Sequence, residues 1–162
     1  MQEHDVIKIL QEELNFSDNS IKKLKIFENE ILKANKMHNF ISKSTESDIW
    51  MRHILDSAQL VKFINFKDGS LSDLGSGAGF PGLVLAIYNK NYNFHVKLYE
   101  KSPVKRDFLQ LIISKLDLYA NVLSNVYKNE IKSEIIVCRA FKKLDQVIQV
   151  SREICKIPHK LI

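Results

Sequence analysis

Apolar side chains recur at three- and four-residue intervals through the first third of the chain, then give way to short apolar runs separated by helical stretches. Residues 4–14 carry Val6, Ile7, Leu10 and Leu14 at helical spacing, and residues 15–20 read as a turn with capping side chains. A second helix is predicted over about 20–36, with Ile21, Leu24, Phe27, Ile31 and Leu32 on one face and lysines elsewhere. A third is predicted from Thr45. There Thr45-Glu-Ser-Asp48 resembles a capping box with Asp in place of Glu, and Ile49, Trp50, Ile54, Leu55, Ala58 and Leu60 supply a buried side as far as Phe63. Residues 71–74, 95–99, 120–125 and 135–139 then read as parallel strands, with a fifth starting at 159–162. Helices over 82–88, 103–116 and 144–155 alternate with them. The resulting βαβ repeats predict an α/β fold with a doubly wound, mostly parallel sheet.

A chain of 162 residues with 45% hydrophobic side chains fits one domain, made of a helical segment over 1–66 and an α/β core over 67–162. No apolar run approaches the roughly twenty residues that cross a bilayer, and the N-terminus is acidic and polar, unlike a secretory leader, so no membrane association is expected. Two cysteines without metal-binding spacing, Cys138 and Cys155, suit a cytoplasmic protein, and no metal site is expected. The net charge of +5 is compatible with an RNA partner and equally with a solvated lysine surface.

Chemistry concentrates in Asp73-Leu-Gly-Ser-Gly-Ala-Gly-Phe-Pro-Gly82, which lies between a predicted strand and a predicted helix. Glycines at Gly75, Gly77 and Gly79 permit a left-handed turn and close approach of a ligand to the backbone, and Pro81 suits a first helical turn. A P-loop is excluded, because no Gly-Lys-Ser or Gly-Lys-Thr follows. A dinucleotide fits through Gly77-Ala-Gly79-Phe-Pro-Gly82, with Glu100 as a ribose partner. A carboxylate at Asp73, immediately before the turn, would repel pyrophosphate and suits a sulfonium compound, which favours S-adenosylmethionine.

The loop resembles that of the GidB/RsmG family, the 16S ribosomal RNA guanine-N7 methyltransferases, most distinctively in its Phe-Pro-Gly ending. Three further segments fall in the family's order: residues 35–40 (Asn-Lys-Met-His-Asn-Phe), residues 52–57 (Arg-His-Ile-Leu-Asp-Ser) and residues 139–141 (Arg-Ala-Phe). The resemblance implies the Rossmann-like sheet of a class I methyltransferase preceded by N-terminal helices. Because the family usually continues further, the last strands and the helix before them are expected to be missing.

Ligands of an open α/β sheet sit beyond the carboxyl ends of its strands, so Asp73, Glu100, Asn125 and Arg139 are predicted to face one crevice. By resemblance, Gly75 and Phe80 meet the methionine part of the cofactor. Glu100 holds the ribose, and Val126 and Tyr127 contact adenine, with Tyr127 replacing the family's usual acid and Glu130 as a substitute for it. Arg139 is placed to grip an RNA phosphate, guanine O6 or the cofactor carboxylate. His53 and Asp56, one helical turn apart, could bind metal, form a dyad or hydrogen-bond across the turn; resemblance places them near the guanine pocket. His38 and Asn39 face that pocket or cap a helix. Lys101, Lys105 and Arg106 form either an RNA footprint or a solvated face. Cys138 is expected to be a buried strand thiol, since no Pro-Cys motif accompanies it.

The reading is methyl transfer from S-adenosylmethionine to N7 of a guanine in 16S ribosomal RNA, free or within the small subunit, by a monomer. Guanine N7 carries a free lone pair, so no general base is needed and positioning suffices. An exocyclic-amine enzyme would be expected to carry Asn/Asp-Pro-Pro-Tyr/Phe where this chain has Cys138-Arg-Ala-Phe141. The alternatives are a shortened inactive relative that keeps at most cofactor or RNA binding, and an NAD-dependent oxidoreductase.

Overall fold

A computed structural model describes residues 2–128, 131–140 and 142–162. Helix α1 (Glu3–Glu12) buries Val6 and Leu10, and α2 (Asp18–Asn35) buries Ile21, Leu24, Phe27 and Ile31, as their spacing predicts. Ser17 caps α2 by accepting from the Ser20 amide at 3.2 Å. The third helical segment departs from expectation. It starts as a π-helix at Trp50–Leu55, passes through one α turn, α3 (Asp56–Ala58), and ends as a 3-10 helix at Gln59–Phe63. Thr45 does not cap it: this residue lies in an earlier 3-10 turn, Lys43–Thr45, and its hydroxyl donates to the Ser42 carbonyl at 3.0 Å.

Strands β1 (Gly69–Leu74), β2 (Phe94–Tyr99), β3 (Ala120–Leu123), β4 (Ile135–Val137) and β5 (Lys160–Leu161) alternate with α4 (Gly82–Tyr88), α5 (Pro103–Leu116) and α6 (Leu144–Ile154). All pairings are parallel, in the order β3-β2-β1-β4-β5, with Leu71 opposite Val96 and Ile135. The order reverses between β1 and β4, so the crevice lies where their carboxyl ends diverge.

Side chains alternate across this sheet. Leu71, Val96, Leu98, Ile135 and Val137 join the main apolar cluster with α1, α2, α4 and α5, so the N-terminal helices and the sheet share one core. Leu74, Tyr99 and Ile136 face the other way and pack with Val150 and Ile154 of α6. Helix α5 starts on Ser102 as N-cap with Pro103 in its first turn and stops at Asp117, which turns left-handed at φ 48°.

Helix α4 lies unusually close to the sheet. A Cβ at Gly82 would stand 2.2 Å from Leu98 Cδ2 and 2.5 Å from Asp73 Oδ2, and one at Gly79 would stand 2.4 Å from Leu83 Cδ1. These two glycines serve packing. Gly82→Ala should therefore destabilise the fold by about 1–3 kcal/mol, read as a lower urea midpoint at unchanged slope; an unchanged midpoint would mean that α4 moves away freely.

Candidate active site

Gly75, Gly77 and Gly79 all take positive φ, at 75°, 56° and 102°, and arch the chain from β1 to α4. The amides of Gly75 and Ser76 both donate to the Tyr99 carbonyl, at 2.9 and 3.0 Å, which pins the arch to the end of β2. Glu100 completes the link. Its buried carboxylate accepts from the Gly77 amide at 2.9 Å and from the Ser102 amide at 2.8 Å, so loop and α5 are both tied to one side chain. A Cβ at Gly77 would have no neighbour closer than the Gly75 carbonyl oxygen at 3.8 Å, so this glycine leaves its free space to the cavity it lines.

Asp73 is not in the crevice. It is fully buried beneath the loop, on the same face of β1 as Leu71, where Oδ2 accepts from the Gly82 amide at 3.0 Å and Oδ1 has no partner. Burial pushes its carboxyl up to about 7, although the neighbouring Ser76 hydroxyl, the Gly82 hydrogen bond and the Arg139 charge act in the opposite direction. The expectation that its charge selects the ligand directly is thus corrected: its work is to hold the start of α4.

Arg139, just past β4, meets the N-terminal helices across the crevice. Nη2 donates to His53 Nδ1 at 2.6 Å, Nη1 donates to the Arg52 carbonyl at 3.2 Å, and the guanidinium carbon sits 5.4 Å from the Phe80 ring centre. His53 stacks on that same ring at 5.0 Å and 29°. Burial and then the Arg139 charge lower His53 to about 4, so it is neutral near pH 7. Its Nε2 lies 2.9 Å from the Thr45 hydroxyl.

These elements enclose a cavity of about 790 Å³, in the size range of small-molecule sites. It brings together His53, Gly75, Phe80, Glu100, Lys101, Lys105, Val126, Tyr127 and Arg139, all expected from the sequence, with Asn125 beside them. Asp56 is not among the lining residues; it is exposed and reaches His53 and Arg139 only through its charge. The Tyr127 amide is engaged by Asn125 Oδ1 at 3.0 Å, and the Tyr127 side chain is largely exposed. Arg106 leaves the basic cluster, because Nη1 donates to the carbonyls of Glu100 and Lys101 at 3.1 and 2.7 Å. Burial raises the Cys138 thiol, which disfavours a thiolate. Glu130 and Phe141 lie outside the described residues.

Phe40, Ile41, Ser42 and Thr45 also line the cavity and were missed as site residues. Their signal lay in Asn35. This buried side chain accepts from the amides of Phe40 and Ile41 at 2.7 and 3.0 Å, and donates to the Ile41 carbonyl and to Glu46. His38 and Asn39 line a separate, smaller notch that shares Phe40 and Lys105 with the main cavity.

Comparison with known proteins decides the family: residues 20–160 match the model of GidB, described as rRNA small subunit methyltransferase G. The chain belongs to the GidB family. Curated relatives named ribosomal RNA small subunit methyltransferase G include that of Rickettsia typhi, 41% identical over 136 residues, and that of Rickettsia bellii, 37% identical over 135 residues. Each match covers 83% of this chain and 69% of the relative. Two solved structures share the fold. Coclaurine N-methyltransferase bound to N-methylheliamine and SAH has a TM-score of 0.57 at 20% identity, over 75% of this chain and 36% of that one. M. jannaschii TYW2 in complex with AdoMet has a TM-score of 0.53 at 21% identity, over 64% and 48%. At these identities the likeness is one of fold: this GidB-family chain shares its parallel sheet and flanking helices with both proteins.

Two predictions follow from the GidB-family loop itself. Gly77→Ala places a methyl group toward the cavity and strains a left-handed residue by about 1–2 kcal/mol; calorimetric affinity for S-adenosylmethionine should fall more than about tenfold, and unaltered affinity would take Gly77 out of the cradle. The second concerns Asp73, whose folded value lies above its unfolded one. Its contribution to stability is complete below about pH 4 and is lost as the pH rises toward 7, whereas the depressed His53 contributes above about 6.5 and loses that as the pH falls toward 4. Thermal melts of Asp73→Asn against the unsubstituted chain should give a Tm difference that moves in favour of the variant from pH 4 to 7; a flat difference would place an ordinary carboxylate at Asp73.

Proposed function

We propose that this chain transfers a methyl group from S-adenosylmethionine to N7 of a guanine in 16S ribosomal RNA. Membership of a family described as rRNA small subunit methyltransferase G supports the reaction class, and it weighs against the nicotinamide alternative. The observation that carries the assignment to this cavity is the joining of the glycine arch, Glu100 and Arg139 around one space. The residues present fit the cofactor: Gly77 leaves room against the backbone, and Glu100 is a buried carboxylate held by two amides with lone pairs left for ribose hydroxyls. Gly75 and Phe80 would border the methionine part and Val126 and Tyr127 the adenine.

S-adenosylmethionine, when bound, supplies an electrophilic methyl group on sulfonium sulfur. The chain's own residues act by placement. His53 is neutral and its ring nitrogens are engaged by Arg139 and Thr45, while both Glu100 oxygens accept backbone amides, so neither is positioned as a base. Guanine N7 needs none. Arg139 supplies donors with the geometry for guanine O6, a phosphate or a carboxylate, and Lys101 and Lys105 line the same cavity with charge suited to an RNA backbone. Among the described residues no helix is long and apolar enough to cross a membrane; the proposed enzyme is a monomer acting on ribosomal RNA or the small subunit in the cytoplasm.

The test is transfer of labelled methyl to 16S ribosomal RNA, naked and in small subunits, followed by digestion to nucleosides. The expected product is 7-methylguanosine, and Arg139→Ala should lower the rate more than about tenfold while the Tm stays within a few degrees. Label in another nucleoside, or none, would overturn the reading.

A further inference from the structure

The Arg139 side chain is long and flexible, and fixing it costs rotamer entropy of about 2 kcal/mol if nothing organises it beforehand. The structure organises it through a run of hydrogen bonds that has only one consistent direction. Arginine offers donors alone, so His53 Nδ1, 2.6 Å from Arg139 Nη2, must present its lone pair. The ring proton then sits on Nε2 and is donated to the Thr45 hydroxyl at 2.9 Å. Thr45 in turn can give its own proton to Ser42, whose carbonyl and hydroxyl both lie 3.0 Å from it, so its oxygen is left to accept from His53. Phe80 closes the arrangement from below, with the His53 ring stacked on it and the guanidinium over it.

We propose that Thr45 and His53 are positioning residues for Arg139: the Thr45 hydroxyl, with its proton turned to Ser42, accepts from and so supports the Nε2–H tautomer of His53, and that tautomer aims the guanidinium into the cavity. This rests on the methyltransferase reading for its consequence, though not for its geometry. Arg139 spends one donor on His53 and one on the Arg52 carbonyl, which leaves others of its five for a ligand. A proton on Nδ1 would remove the acceptor and set two cations side by side. The charged groups acting on the His53 ring are Arg139 from beyond β4 and Asp56 and Arg52 from its own segment; Asp56 alone favours protonation. From the remaining sides it meets the neutral Thr45 hydroxyl and the Phe80 ring.

The geometry is tested without turnover by nitrogen-15 NMR of histidine-labelled protein. His53 should show the neutral Nε2–H form from about pH 5 to 8, and in Arg139→Ala it should titrate closer to the ordinary histidine value of about 6.5. A His53 spectrum indifferent to Arg139→Ala would overturn the proposal. The consequence is tested by a double-mutant cycle on methyl transfer, with Tm measured for each variant. His53→Ala should cost about tenfold alone and less than about twofold in the Arg139→Ala background; equal losses in both would make His53 an independent contributor and overturn it. Thr45→Val should lower the rate and Thr45→Ser should restore it, a comparison that stands even where His53→Ala does not fold; loss in both would reduce Thr45 to packing. An unsubstituted chain that transfers no methyl group would refute the proposed function, and the NMR result would then decide the positioning alone.

Discussion

The hydrogen bond from the Gly82 amide to the buried Asp73 carboxyl joins the last turn of β1 to the first turn of α4, and the cavity depends on that joint. It sets how high the intervening chain must arch, and the missing Cβ atoms at Gly79 and Gly82 let the helix settle against Leu83 and Leu98. With the arch in place, the Gly77 amide falls within reach of Glu100 from the neighbouring strand. Burying a carboxyl with one oxygen unpartnered costs free energy, and the shift of Asp73 toward neutrality is the form that cost takes. Tight apolar packing of α4 against the sheet offsets it.

Much of this architecture was legible along the chain. Helices over 82–88 and 103–116 were expected and observed with the same limits, because Pro103 and the glycine arch punctuate them sharply. Glu100 and Arg139 were legible because each stands at the end of an apolar run that periodicity marks as a strand. Thr45 was misread for a physical reason. A hydroxyl ahead of an apolar helical pattern has the composition of a cap, and local sequence carries no trace of a histidine eight positions on that competes for it. Asp73 was misplaced by the pleat: a strand-end residue can face the crevice or the helix layer, and only the packing of α4 decides which. Asp56 follows the same logic, since one helical turn from His53 is close in space but not on the lining face.

Charge is partitioned within the site. The groups nearest its floor, Asp73 and His53, are both pushed toward neutrality by burial, and Arg139 stands between the two layers they belong to. Glu100 is the buried carboxylate paired with backbone amides, on the side where hydroxyl-bearing ligands would be recognised. Lys101 and Lys105 also line the cavity. Such a division places cationic side chains around an interior where discrimination falls to a few directed groups, the remaining donors of Arg139 and the remaining lone pairs of Glu100.

The bond between Arg139 and His53 spans 86 positions of sequence. Contacts of that separation close large loops and carry a correspondingly large closure entropy. The wall that Phe40, Ile41 and Thr45 contribute is synthesised long before its counterpart beyond β4. In the emerging chain the glycine arch and Glu100 therefore precede Arg139, and the two walls of the cavity meet only once residue 139 is in place.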